Sequence, residues 1–168
     1  RHDQLAVTTS PREAAELLAR HGLAPRRALG QNFVVDPNTV RRIARLAGVG
    51  PGDRVVEIGA GLGALTEALV DTGAAVTAIE VDRGLVAVLG ERLSGRGVRI
   101  IEGDARHLDW PAVLRPDGGW VLVANLPYNV ATPLVADLLD GVPAVQRMLV
   151  MVQREVGERL AAAPGDDA

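Results

Sequence analysis

The chain reads as an α/β protein with a mostly parallel sheet and helices on both faces. Three features predict this. Apolar, largely β-branched runs recur at 54–58, 75–80, 98–102, 120–124 and 146–152. Segments of helical length separate them, too long for hairpin turns and long enough for crossover connections. The first run ends in a glycine-rich turn, Gly59-Ala-Gly-Leu-Gly63, of the kind that joins a buried strand to a following helix.

Taken in order, Ser10-Pro11-Arg12-Glu13 is a capping box with proline at the first helical position, and it opens a helix running to about Arg20, before Gly22. Asp36-Pro37 starts a second helix that stops near Gly48. Between the two lies a basic segment, Arg26-Arg-Ala-Leu-Gly-Gln-Asn-Phe33, with neither helical nor strand period. Strand and helix then alternate, with helices over 63–72, 83–93 and 132–139 and an ill-defined turn near Trp110. A last helix spans about 154–162. Residues 1–50 are thus a basic helical segment with a ligand-contacting loop, and 51–168 form the α/β core.

At 168 residues the chain fits one domain that buries roughly two thirds of its unfolded surface. No cysteine is present, which excludes disulfides, thiolate metal sites and cysteine nucleophiles. His2, His21 and His107 have no ligand spacing, so no metal is expected. No apolar run approaches the roughly 20 residues of a membrane span, and no signal-peptide pattern is seen, so a soluble, cytoplasmic protein is expected. A start at Arg1 and the tail Ala161-Ala-Ala-Pro-Gly-Asp-Asp-Ala168 suggest a piece of something longer.

Net charge is −3, but residues 1–50 carry eight arginines against four acids while 51–168 carry ten against seventeen. All 18 basic residues are arginine, so phosphate contacts would be made by planar guanidinium forks. Arg26, Arg27, Arg41, Arg42 and Arg45 are the candidates for phosphate contact; a solvated helix face or loop explains each taken singly at least as well.

The sharpest local signal is Asn125-Leu-Pro-Tyr128, an amide, a rigid turn and an aromatic ring directly after an apolar strand. Tyr128 is the only tyrosine and Phe33 the only phenylalanine. Such a set suits a planar nitrogen base: N–H groups donate to the Asn125 side-chain oxygen and the Pro127 carbonyl while Tyr128 stacks on the ring. An ordinary strand-to-loop turn remains the alternative. Gly59, Gly61 and Ala64 also satisfy a dinucleotide fingerprint, so the glycine turn alone does not separate ligands. Glu80, 17 residues past Gly63, is placed for ribose hydroxyls, although Glu80-Val-Asp82 would equally cap the next helix. Asp104 is placed to accept an N–H from an adenine amino group, or is a turn carboxylate. Glu57 would favour a cationic ligand or orient the loop, and would repel a diphosphate.

Together, Leu29-Gly-Gln-Asn-Phe33, Glu57-Ile-Gly-Ala-Gly-Leu-Gly63, Glu80-Val-Asp82, Gly103-Asp-Ala105, Asn125-Leu-Pro-Tyr-Asn-Val-Ala-Thr-Pro133 and Gln153-Arg-Glu-Val156 resemble the ribosomal RNA adenine N6,N6-dimethyltransferase family over about residues 25–160. The resemblance implies a Rossmann-like class I S-adenosylmethionine-dependent methyltransferase fold, here lacking the last strands and the family's C-terminal helical domain. It implies S-adenosyl-L-methionine as cofactor, held by Gln31, Asn32, Val34, Glu57, Gly59, Gly61, Glu80, Asp104 and Asn125. Asn125, Pro127 and Tyr128 would serve the target adenine. The family usually has leucine where Val34 stands, which leaves a backbone contact intact. Two adjacent adenines near the 3′ end of 16S rRNA, in the small ribosomal subunit, are the implied substrate of an enzyme that is monomeric at full length. Three alternatives stay open: a macrolide-resistance-type 23S rRNA methyltransferase, a NAD-dependent oxidoreductase and a non-catalytic ribosome assembly factor.

Overall fold

A computed structural model of the chain describes residues 11–23, 36–115, 118–126, 128–152 and 161, the side chains of Pro11 and Tyr128 excepted. Its elements are α1 (Pro11–Arg20), α2 (Pro37–Ala47), β1 (Arg54–Ile58), α3 (Ala64–Asp71), β2 (Ala75–Glu80), α4 (Arg83–Arg92), β3 (Arg99–Glu102), α5 (Trp110–Val113), β4 (Trp120–Asn125), α6 (Tyr128–Gly141) and β5 (Val145–Met151). The five strands form one sheet in the order β3-β2-β1-β4-β5, every pairing parallel.

Side-chain alternation along the strands divides the core into two layers. Val56, Ile58, Ile79, Leu122 and Ala124 face α5 and α6. Val55, Val76, Val121 and Val123 face α2 and α3, and Ala78 faces Leu89 and Leu93 at the α4 end. A sheet covered on both faces explains why its strands read as unbroken apolar runs rather than alternating ones. The N-terminal helices are part of this packing. α2 buries Val40, Ile43, Ala44 and Ala47 against the sheet layer, and α1 sets Ala14, Leu17 and Leu18 on Leu62, Leu85 and Val88.

Caps fix the helix starts. Asp36 accepts from the Thr39 amide and hydroxyl, and Asp82 accepts from the amides of Gly84 and Leu85. Gly48 closes α2 in the left-handed region, φ +58°.

Two details depart from the sequence expectation. α6 begins at Tyr128 rather than near 132, and Pro133 lies inside it. Thr132-Pro133 looks like a cap followed by a first helical residue, but Ala131, Leu134 and Leu138 are all buried on one side, and that burial carries the helix through the proline. The cost is one missing N–H in the second turn. The segment near Trp110 is a short helix, capped by Asp109 and pinned by the Trp110 indole N–H donating to the Ala105 carbonyl at 3.2 Å. β4 and β5 slip register between Trp120 and Val121. The last expected helix, 154–162, lies outside the described residues except for Ala161.

Leu122, fully buried in β4, is the test of this core. Leu122→Ala is expected to lower unfolding free energy in urea by about 2–5 kcal/mol. Leu46→Ala, at a residue 61% exposed on α2, should move it by less than about 0.5 kcal/mol.

Candidate active site at the carboxyl edge of the sheet

Parallel strands all end on one edge, and the register aligns those ends. Ile58 pairs with Ile79 and with Ala124, and Glu80 with Glu102. One step beyond, Gly59 follows β1, Glu80 ends β2, Gly103-Asp104 follows β3 and Asn125 ends β4. The structure therefore brings Asp104, Glu80, Gly59 and Asn125 together in that order across four adjacent strands.

The turn after β1 requires glycine. Gly59, Gly61 and Gly63 have φ of +77°, +58° and +84°, a region costly for residues with a Cβ. At Gly59 a Cβ would also sit 3.1 Å from the Asn125 carbonyl oxygen, so its absence lets the turn close on the end of β4. The amides of Gly59 and Ala60 donate to the Ile79 carbonyl, and that of Gly61 donates to Glu80 Oε2 at 2.8 Å.

Glu80 is 5% exposed, and its second oxygen accepts from the Asp82 amide at 3.0 Å. Its carboxylate thus sits at the β2 exit while restraining the turn. Glu57 lies beneath, 2% exposed, accepting a 2.5 Å hydrogen bond from the Thr66 hydroxyl of α3. That bond ties β1 to α3, at the foot of the glycine turn. Burial pushes the Glu57 carboxyl up to about 7; the Thr66 bond opposes this and the nearby Glu80 charge adds to it.

Asp104 is half-buried and gripped by Arg106. Oδ1 accepts from the Arg106 amide at 2.9 Å, and Oδ2 from Nη2 at 2.7 Å. Hydrogen bonds from the Arg106 side chain first, then its backbone, hold the carboxyl down to about 2. Oxygen lone pairs at this carboxylate are thus shared with the chain's own cation. Arg41, Arg42 and Arg45 lie exposed on α2, and the Arg41 charge adds to the Thr39 hydrogen bonds that lower the Asp36 carboxyl. Gln31, Asn32, Val34, Arg26, Arg27 and Pro127 lie outside the described residues. Tyr128 is placed only as the first residue of α6.

The matching family model, ribosomal RNA adenine dimethylase, covers residues 22–168. The chain belongs to that family. Among its dimethylase relatives, "Ribosomal RNA small subunit methyltransferase A" of Magnetococcus marinus is 48% identical over 90% of this chain and 55% of its own length. The Streptomyces coelicolor protein of the same name is 47% identical over 92% of this chain and 55% of its own. The chain thus spans about half the length of the curated relatives it matches. Among solved structures, the 23S rRNA methyltransferase ErmE superposes with TM-score 0.67 at 30% identity, covering 76% of this chain and 50% of that one. A dimethyladenosine transferase from Plasmodium falciparum gives 0.67 at 30%, covering 78% and 46%. The fold is that of the S-adenosylmethionine-dependent methyltransferases.

The chemistry of the residues at this edge is compatible with an adenosyl ligand. The buried acid at the β2 end and the carboxylate past β3 are acceptors of the kind such a ligand uses, and the glycines let the backbone turn close against β4. Sequence reading missed two partners of these carboxylates. Thr66 is nine residues from Glu57 and shows no short-range sign of its partner. Arg106 stands in the legible pattern Asp-Ala-Arg. No group of three or more His, Asp or Glu able to hold a metal occurs among the described residues. None of the described helices is long and apolar enough to cross a membrane.

The raised Glu57 carboxyl makes stability fall with pH. Between its ordinary value near 4.5 and about 7 the native state holds a proton that the unfolded chain has released. The linked loss is on the order of 3 kcal/mol and levels off above pH 7. Glu57→Gln keeps an acceptor for Thr66 and removes the titration. Its unfolding free energy, followed by urea titration from pH 5 to 8, is expected to fall less than that of the wild type.

Proposed function

We propose that the protein, at its full length, uses S-adenosyl-L-methionine to dimethylate N6 of two adjacent adenines near the 3′ end of 16S rRNA. It would act on the small ribosomal subunit in the cytoplasm, during ribosome biogenesis. The observation that carries this reading is the ordered line Asp104, Glu80, Gly59, Asn125. With strands spaced about 4.8 Å apart, three gaps give a trough of about 14 Å, suited to an extended nucleoside with the target base at the Asn125 end. The names of the relatives at 46–48% identity favour the small subunit over the large.

When bound, S-adenosylmethionine supplies a methyl group on a sulfonium, already an excellent leaving group, so little acid or base assistance is needed. Asp104 would accept from the cofactor's adenine and Glu80 from its ribose. Gly59 and Gly61 would pass beneath, Glu57 would orient the turn, and Gln31, Asn32 and the backbone of Val34 would meet the methionine part. The Asn125 side-chain oxygen and the Pro127 carbonyl would accept the N–H groups of the target adenine, and Tyr128 would stack on it. Fixing the amine in line recovers on the order of 7–11 kcal/mol of barrier, and acceptors that draw the lone pair out of conjugation add to this. An adenine leaving its stack costs a few kcal/mol, partly offset by an aromatic partner.

In this reading residues 1–50 present Arg26, Arg27, Arg41 and Arg42 to RNA phosphates, 51–168 form the methyltransferase core, and a C-terminal helical domain follows. A large-subunit substrate is the second reading, supported by the likeness to ErmE. Susceptibility to macrolides of a host expressing the full-length protein separates the two.

The direct test is incubation of the full-length enzyme with immature small subunits and labelled cofactor. N6-dimethylated adenine in the RNA is expected, and its absence would sink the reading. Asn125→Ala should lower kcat at least about 10²-fold, with S-adenosylhomocysteine affinity kept within about threefold by calorimetry. Glu80→Ala should weaken cofactor binding first; the opposite ordering would overturn these assignments. Arg41→Ala and Arg42→Ala should each weaken RNA binding regardless of sequence and flatten its salt dependence by about one unit of slope.

A further inference from the structure

Arg92 stands at the C-terminal end of α4, yet its side chain ends at the glycine turn. Nη1 donates to the Leu62 carbonyl at 2.9 Å, and Nη2 donates to Glu67 Oε2 of α3 at 2.6 Å. The two side chains are only 10% and 15% exposed. Leu62 itself is buried in the α1–α4 cluster with Leu17, Leu18, Leu85 and Val88. The Arg92 stem reaches Gly63 as well, its Cδ lying 3.9 Å from where a Cβ on that glycine would be.

These contacts complete the restraint of the turn. Gly59 and Ala60 are held by the Ile79 carbonyl, Gly61 by Glu80, and the Gly63 amide by the Ala60 carbonyl. The Leu62 carbonyl and the Gly63 amide share one peptide plane, so fixing the carbonyl fixes the amide too. Glycines at positive φ rotate at small cost, which makes such an external clamp effective.

We propose that Arg92 is a positioning residue for the methyl-donor site, its guanidinium fork setting the pose of Gly61–Leu62–Gly63 from the end of α4. The inference rests on the reading of this turn as the donor site. Lysine cannot replace the fork, because a single ammonium does not reach a carbonyl and a carboxylate in fixed planar geometry. Removing Arg92 alone would leave Glu67 largely buried without its cation, so a paired substitution is needed beside the conservative one.

In the full-length protein, S-adenosylhomocysteine binding is measured by calorimetry for the wild type, Arg92→Lys, the double variant Arg92→Leu/Glu67→Leu, and Glu67→Gln. Affinity should fall about tenfold or more in Arg92→Lys and in the double variant, the size of a lost charged hydrogen bond. Tm should shift by only a few degrees, and KM for the donor should rise more than kcat falls. Glu67→Gln, which keeps Arg92 on the carbonyl, should lose less affinity than Arg92→Lys. Wild-type affinity in both folded Arg92 variants, or the reverse order between Glu67→Gln and Arg92→Lys, would overturn the proposal. A wild-type protein that does not bind S-adenosylhomocysteine would overturn the donor-site reading itself, a different result from variants that match a binding wild type.

Discussion

The carboxylate of Glu80 is the point on which the site depends. It terminates β2, accepts the Gly61 amide at 2.8 Å and the Asp82 amide at 3.0 Å, and so joins the turn after β1 to the start of α4. Asp82 in turn caps α4 through Gly84 and Leu85. α4 supplies Leu85 and Val88 to the cluster that seats α1 and Leu62. One buried acid thereby connects two strand ends, a helix cap and the N-terminal helix. A buried carboxylate is tolerated because backbone N–H groups satisfy it, as charge-assisted hydrogen bonds do.

The electrostatics of this edge follow from crowding acids together. Glu57, Glu80 and Asp104 all lie near the carboxyl ends of β1, β2 and β3, where like charges repel. The structure answers differently at each. Glu57 is raised toward neutrality by burial and bonded to Thr66, Glu80 is held by amides, and Asp104 is paired with Arg106. Glu67, just behind the turn, is paired with Arg92. Exposed arginines, by contrast, gather on α2, at Arg41, Arg42 and Arg45. A chain with net charge −3 thus keeps the acids of its strand ends apart from the exposed arginines of α2.

Much of this was legible in the residues. Continuous apolar runs announced buried parallel strands, and Asp36-Pro37 announced a helix start, because those signals act within a few residues. Gly59, Glu80, Asp104 and Asn125 could be put on one edge because parallel strands must end together. What escaped were long-range partners: Arg92 on Leu62, Thr66 on Glu57, and the buried side of α6 that overrides Thr132-Pro133. In each case the deciding contact lies in tertiary packing that local patterning does not encode.

The amino-acid order by itself determined the alternation of strands and helices, the glycine turn, and which side chains arrive at the carboxyl edge, since these follow from periodicity, capping and the obligatory parallel crossover. Only the tertiary structure decided which of the carboxyl groups is raised toward neutrality, which are held by amides and which are paired with arginine. Charge state depends on burial and on distances of a few ångströms between residues far apart in the chain, and those are set when the sheet and its covering helices close.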